Sequence, residues 1–594
     1  MSFMTGFHGP YEAFKQCKDV CVAAGPKRVF RNAAIVVSTT FTVVKVGKKI
    51  YKWYNYSYLR KQKQEACLLS KQRLQERLKE VEDSSSWDEI ADLSSTDLIH
   101  KLQKKELKAV DVLRAFQYKA LKADEELNCV VEPIWEAEAQ ALEEDLEGIK
   151  GPLHGVPVSL KDTYGVTGYD GTVGLASRIN QPFLEDAVVV KVLKKAGAIP
   201  FVKTPSPPAM YSFETSSALY GRTCNPHDTS RIPGGSSGGE AALLASHGSI
   251  IGFGSDLGGS IRIPSAMCGT YGLKPTIGRI SKKGMSPLCR TNQMVASSIG
   301  PMARDVEGLV SVMRALLVPY MYELDPNSVP ILFQNEVYES KRPLRIGYYT
   351  YDGFVQAVPA MVRGVLMAKA ALEKQGHTLV PWNPIDTPYA YNKLWVAMLF
   401  GDHGVGLMKE LEGDKQDPCM AMLYFILKTS ERIRRPLCRF IGLFSPGVAR
   451  LLSAGLDYET VYDWFQGCRK LETYREDVAA SWKQNKLDAI ICPGFTMTAV
   501  PPGLTVFQQL SYTAVYNALN FPAGSMPVTK VTAEDEDKLE KEYPTEPFYH
   551  KITKDGSRGS TGLPVNVQCV ALPFQDEMSL RVMKELDTAL KMTN

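Results

Sequence analysis

The sequence predicts an α/β fold, on three observations. Strand and helix candidates alternate: residues 344–349 (LRIGYY), a helix over 359–375 stopped by Gly376, and 378–381 form a strand, helix, strand unit. Residues 489–492 (AIIC) and 563–572 (LPVNVQCVAL) read as further buried strands. A glycine- and serine-rich stretch, residues 232–264, holds two Gly-Gly-Ser turns separated by one helix candidate (240–246) and one strand candidate (249–254). Finally, 594 residues with 44% hydrophobic content can bury the core that one extended sheet needs.

From the N-terminus, residues 33–44 (AAIVVSTTFTVV) form an apolar run between Lys27, Arg28 and Arg31 on one side and Lys45, Lys48 and Lys49 on the other. Twelve helical residues reach about 18 Å at ~1.5 Å each, short of the ~30 Å hydrocarbon core. A span therefore has to recruit Val29, Phe30 and Val46 and let the lysines snorkel. The aromatic cluster Tyr51, Trp53, Tyr54, Tyr56 and Tyr58 suits a membrane interface. We expect residues 1–58 to be a membrane-anchor segment and residues 59–594 to form one larger domain; a buried or amphipathic helix is the alternative for the run, and a cleaved signal peptide is disfavoured because no small-residue cleavage site follows.

Residues 58–83 read as a charged helix with Leu68, Leu69, Leu74 and Leu78 on one stripe. Leu93, Ser94 and Asp97 resemble a staple and capping box opening a helix that carries Leu98, Leu102 and Leu107. Residues 155–162 (GVPVSLKD) predict a short strand in which Val156, Val158 and Leu160 alternate and Lys161 comes at the end. A lysine there is by default a solvated charge. Residues 419–452 contain an apolar helix candidate (CMAMLYFILK), a basic break at Arg432, Arg434, Arg435 and Pro436, and a second helix candidate holding Phe440, Ile441, Leu443 and Phe444. Apolar faces edged by Lys428, Arg432, Arg434, Arg435, Arg439 and Arg450 suit an interfacial helix pair; a core hairpin with snorkelling arginines is the alternative.

Composition narrows the function. The 69 basic and 65 acidic residues leave a net charge of +4, which argues against a nucleic-acid binder, where a strongly basic face is expected. The 12 cysteines are scattered, the close pair Cys17 and Cys21 has no histidine cluster beside it, and the 8 histidines form no ligand-spaced group. No metal and no cofactor is expected, and reduced cysteines fit a cytosol-facing protein.

The two turns carry the chemistry. Glycines around Ser236 and Ser260 leave backbone N–H groups uncovered, so these can converge on a developing oxyanion. Gly234 to Gly238 satisfies G-x-S-x-G, but a nucleophile elbow follows a buried strand directly, and Pro233 spoils one here. Gly252, Gly254 and Gly258 leave one residue too many for a dinucleotide fingerprint. Two serines with exposed amides, a strand-end lysine and no histidine assigned as base point to a lysine that activates serine. A lysine at its free pKa of about 10.4 is protonated at pH 7, and lowering it by ~3 units costs about 4 kcal/mol of differential solvation. Burial at a sheet edge can supply that.

Residues 234–276 resemble the amidase signature family. The segments HGVPVSLKD, KRPLRIGYY, SYTAVYNALNFPAG, PVTKVTAED and LPVNVQCVALPFQ extend the likeness, to the branch that acts on fatty acid amides, from about residue 90 to the end. The resemblance implies a single large mixed twisted β-sheet surrounded by helices, with an N-terminal membrane-anchoring helix, although the run at 33–44 is shorter and more polar than such a helix. It implies a nucleophile at Ser260, a proton relay at Ser236, a neutral base at Lys161, and oxyanion amides from Leu257, Gly258, Gly259 and Ser260. It also implies a substrate channel at Met210, Tyr211, Phe354, Leu399 and Phe400, and a membrane-binding cap at about 414–452. The implied substrates are N-acylethanolamines and primary fatty amides, with lipid esters besides. The implied partners are membrane lipid and a second copy in a homodimer, on the endoplasmic reticulum or a related endomembrane with the catalytic part facing the cytoplasm. Two other readings are an amidase of small polar amides and an inactive lipid-binding protein. The apolar, basic-edged insert argues against the first, and the presence of Lys161, Ser236 and Ser260 together argues against the second.

Overall fold

The computed structural model describes residues 26–81, 84–286, 294–444, 446–453 and 455–592. Cys17 and Cys21 lie outside them. The chain divides into two units, residues 1–59 with 413–415 and residues 60–412 with 416–594. The helix Pro26–Lys79 covers the apolar run. Among the described residues no helix is long and apolar enough to cross a membrane, so the expected span is not shown. The reason is the bracket of charges: it confines the run to a stretch well below bilayer thickness.

The larger unit is built on an 11-stranded sheet. In chain order its strands are β1 (Glu132–Pro133), β2 (Pro157–Lys161), β3 (Ile199–Thr204), β4 (Ile251–Asp256), β5 (Tyr271–Lys274), β6 (Ser298–Ala303), β7 (Arg345–Tyr348), β8 (Thr378–Pro381), β9 (Ala489–Pro493), β10 (Ala523–Lys530) and β11 (Pro564–Val570). Across the sheet they lie in the order β1, β3, β2, β4, β6, β5, β10, β11, β9, β7, β8. β2 is parallel to β3 and β4, and β7 is parallel to β8 and β9. The other pairings are antiparallel. This is the mixed sheet surrounded by helices that the sequence leads one to expect.

Every residue of β2, β3 and β4 is buried, because helices cover both faces there. Alternation along β2 sends Val158 and Leu160 into an apolar core and leaves Ser159 and Lys161 for the opposite face. Since β2 and β4 run parallel side by side, they end at the same sheet edge, where open α/β sheets gather their sites. The helix Gly238–Ala245 packs close over this region. A Cβ on Gly252 would stand 2.0 Å from Glu240 Oε2, and one on Gly254 2.8 Å from Ser237 Oγ. Those two glycines, wrongly spaced for a nucleotide, are what let the helix approach the sheet.

Local differences from expectation have local causes. The buried stripe of the helix after residue 58 is Cys67, Leu74 and Leu78, whereas Leu68 and Leu69 are exposed. Ser94 does cap its helix, accepting from the Asp97 amide at 3.1 Å, but the helix ends at Gln103, so Leu107 is outside it. Pro436 is not a break: it sits inside the helix Glu431–Gly442, and the break falls at Thr429 and Ser430.

Gly252→Ala is expected to destabilise the protein by about 2 kcal/mol through overpacking. Gly148→Ala, with nothing within 4 Å of its Cβ, is expected to be neutral. Denaturant midpoints of the two variants check this.

Candidate active site

Lys161, at the end of β2, is fully buried. Its Nζ donates to Ser236 Oγ at 2.8 Å, to Ser237 Oγ at 3.0 Å and to Ser255 Oγ at 3.0 Å. The default of a solvated lysine is overturned by the helix Gly238–Ala245, whose preceding residues close over it. The neighbouring carboxylate is turned elsewhere. Asp162 Oδ2 accepts from Thr172 Oγ1 at 2.6 Å and the Val173 amide at 2.7 Å, while Oδ1 stands 3.3 Å from Lys203 Nζ.

The two turns are fastened to each other, the Ser237 N–H donating to the Ser260 carbonyl at 3.1 Å. Ser236 is buried and Ser260 is half-buried. The second turn is shaped by Asp256, which accepts from the amides of Gly259 at 2.8 Å and Ile261 at 3.1 Å. Gly259 needs φ of +129°, and a Cβ there would meet Thr513 Oγ1 at 2.5 Å. Outside the turn, Thr513 Oγ1 donates to the Gly258 carbonyl at 2.6 Å and Trp395 Nε1 to the Leu257 carbonyl at 3.1 Å. These bonds fix the peptide planes of 257–260. The Gly259 amide is thereby engaged within the turn, unlike the role expected of it at an oxyanion.

Asp256 is itself held by Arg262, whose Nε and Nη2 reach its two oxygens at 3.0 and 2.9 Å, and by Asn517 Nδ2 at 2.9 Å. Burial alone would raise this carboxyl, but the Arg262 guanidinium and the bonds from Arg262 and Asn517 hold it well below the usual carboxylate range.

A cavity opens on this edge, with Gly235, Leu257, Gly258 and Ser260 in its wall. Met210, Tyr211 and Leu399 line it. Phe400 lines an adjoining chamber instead. Phe354 lines neither. Asp352 accepts from the amides of Phe354 and Val355 at 2.8 and 3.0 Å, and the turn this makes packs the Phe354 ring on Tyr391 and Tyr549, at 5.8 and 5.6 Å between centroids.

Residues 111–580 match the amidase family. The chain is 40% identical to fatty-acid amide hydrolase 1 of Sus scrofa over 531 residues, which covers 89% of this chain and 91% of that one. The chain belongs to the amidase family. Fatty acid amide hydrolase 1 of Caenorhabditis elegans is 36% identical over 517 residues, covering 86% and 90% of the two chains. A solved fatty acid amide hydrolase structure aligns with a TM-score of 0.72 at 26% identity, over 86% of this chain and 87% of that one. This amidase family member is accordingly an amide-hydrolysing enzyme, acting on a carbon–nitrogen bond.

Several residues of this candidate site escape sequence reasoning. Asp256 and Arg262 flank the second turn and were open to notice as an acid and a base bracketing Gly-Gly-Ser. Ser237 and Ser255 are as close to Lys161 as Ser236 is, to within a few tenths of an ångström, and only the fold shows it. Glu240, fully buried, accepts from Ser159 Oγ at 2.6 Å and Thr204 Oγ1 at 2.7 Å.

Burial pushes the Glu240 carboxyl up to about 7, against the hydrogen bonds and the Lys161 charge that lower it. A carboxyl raised on folding contributes stability that is fully present below its unfolded pKa and is lost as pH rises through the folded one. We therefore expect the stability of Glu240→Gln relative to wild type to rise by about 3 kcal/mol from pH 4 to pH 8. Urea titrations of both proteins across that range measure it, and a constant difference would show that Glu240 does not titrate there.

Proposed function

We propose that this enzyme hydrolyses fatty acid amides at a membrane surface through an acyl-enzyme on Ser260, with Ser236 relaying a proton and Lys161 as base. The observation that carries the reading is the 2.8 Å bond from Lys161 Nζ, sealed from solvent, to Ser236 Oγ, beside a cavity with Ser260 in its wall. An amine enclosed among hydroxyls has lost the water that favours ammonium, which suits a base.

Ser260 Oγ attacks the amide carbon while its proton passes to Ser236 and the Ser236 proton passes to Lys161. The amides of Leu257, Gly258 and Ser260 receive the oxyanion, and the Gly259 amide, bound to Asp256, keeps the turn in shape. The carbon–nitrogen bond breaks as Lys161 returns its proton through Ser236 to the leaving nitrogen. Water, deprotonated by the same pair, then attacks the ester carbon; the bond to Ser260 Oγ breaks as the pair returns that proton to Ser260, and the fatty acid is freed. Proton delivery to nitrogen in step with attack lets an amide leave as readily as an ester.

The relatives from Sus scrofa and Caenorhabditis elegans, both named fatty acid amide hydrolases, support the acyl substrate class. So does the apolar cavity wall of Met210, Phe213, Leu399 and Leu510. The helices Ala421–Lys428 and Glu431–Gly442 supply the membrane contact. Leu443 and Phe444 are 77% exposed, with Phe425, Ile433 and Phe440 also exposed and Arg432 and Arg439 beside them. Arg434, expected at that rim, is buried instead and donates to the Ile426 carbonyl at 2.9 Å, pinning the two helices together. At ~0.8 kcal/mol per buried CH₂, a chain of about sixteen carbons favours the bilayer by roughly 13 kcal/mol, so the substrate waits in the membrane. The described cysteines are all free, in keeping with an enzyme facing the cytoplasm from an internal membrane.

Ser260→Ala is expected to abolish labelling by a fluorophosphonate. Lys161→Ala is expected to lower amide hydrolysis by about 100-fold or more and to move its profile to higher pH. Labelling that survives the first change, or a profile unmoved by the second, refutes the assigned roles. Phe444→Asp is expected to weaken liposome binding while a soluble short-chain amide is still turned over; undiminished binding would place the membrane contact elsewhere.

A further inference from the structure

Three cavities meet at one side chain. The first holds Ser260 in its wall, the second lies beside Tyr391, Phe400 and Ile426, and the third beside Cys419 and Met422. Phe507 borders all three, and among the described residues it alone borders both the first and the second. The first and third, by contrast, also share Tyr211, Ser212 and Phe213.

Phe507 is held where it stands. The Tyr391 hydroxyl donates to its carbonyl, and the Val506 amide donates to Gln509 Oε1 at 2.8 Å. Just before it, the Gly503 amide and Thr505 Oγ1 donate to Glu214 Oε1 at 3.1 and 2.6 Å. Glu214 follows directly on the segment 211–213 that lines the first cavity, so both sides of the partition are tied to one another. The second chamber is walled by Val396, Phe400, Leu423 and Ile426, a surface suited to hydrocarbon.

We propose that Phe507 determines acyl-chain length: its ring closes the chamber beside Phe400 from the cavity of Ser260 and confines the chain to the first and third spaces. The inference rests on the reading of that cavity as the acyl site. Truncating the ring joins the second chamber to the first, and enlarging it narrows the passage further. A single methylene gained in an apolar pocket changes kcat/KM by about tenfold or more.

The test is a series of N-acyl amides from eight to twenty-two carbons, hydrolysed by the full-length chain and by Phe507→Ala, Phe507→Leu and Phe507→Trp. The quantity read is the ratio of kcat/KM for the long-chain over the medium-chain amide within each protein, which cancels differences in active fraction. The ratio is expected to rise by about tenfold or more in Phe507→Ala, to rise less in Phe507→Leu, and to fall in Phe507→Trp. Should the alanine variant not fold, the leucine and tryptophan variants still move the ratio in opposite directions. A ratio equal in all folded proteins overturns the inference and leaves the hydrolase reading standing. A wild-type protein that cleaves no acyl amide overturns that reading and the inference with it.

Discussion

The buried pair of Asp256 and Arg262 is the interaction on which the geometry of the site rests. Both side chains are fully enclosed, 2.9 Å apart, and removing each from water costs several kcal/mol. That cost is tolerable only where every remaining donor and acceptor is met. Here they are: Asp256 takes the Gly259 and Ile261 amides and Asn517, and Arg262 gives to the Thr513 carbonyl, Gln568 Oε1 and Asn517 Oδ1. One ion pair thus joins the end of β4, the helix Arg262–Cys268, the helix Ser511–Ala518 and β11. The turn that carries Ser260 is clamped between them and has no freedom to open.

The sheet supplies the second constraint. β2 and β4 are parallel neighbours, so Lys161 and the Gly-Gly-Ser turn after Asp256 come to one edge without any long connection. The helix Gly238–Ala245 then seals that edge, and it can do so because Gly252 and Gly254 offer no side chain to its Ser237 and Glu240. Packing and chemistry are the same contact. What keeps water from Lys161 is also what places hydroxyls around it.

Much of this was legible in the sequence where the cause is local. Glycines flanking Ser236 and Ser260 announce uncovered amides, and the alternation of Val156, Val158 and Leu160 announces a strand with Lys161 at its end. Burial of Lys161 was not legible, because it depends on a helix that packs from outside the strand. β3 is absent from the sequence reading since Pro200 sits inside it; the register shift opposite Val158 and Ser159 absorbs that missing donor. Trp395, Phe507 and Thr513 come to the turn and its cavity from more than a hundred residues away, and no pattern in the chain marks them. Phe354, assigned to the channel by likeness, is packed on Tyr391 and Tyr549 by the turn that Asp352 makes.

The site treats its buried charges in two opposite ways, and the partners decide which. Asp256 faces a guanidinium and two amides and stays ionised; Glu240 faces the hydroxyls of Ser159 and Thr204, and burial raises its carboxyl toward neutrality. Lys161 donates to Ser236, Ser237 and Ser255, oxygens without charge, and its charge lowers the Glu240 carboxyl that burial raises. A carboxylate bonded directly to its Nζ would stabilise the ammonium, and the adjacent candidate, Asp162, is diverted to Lys203 on the other side of the strand. Asp162 is engaged by Lys203, Thr172 and the Val173 amide, while the Lys161 amine reaches the hydroxyls of Ser236, Ser237 and Ser255, the contacts on which its proposed role as base rests.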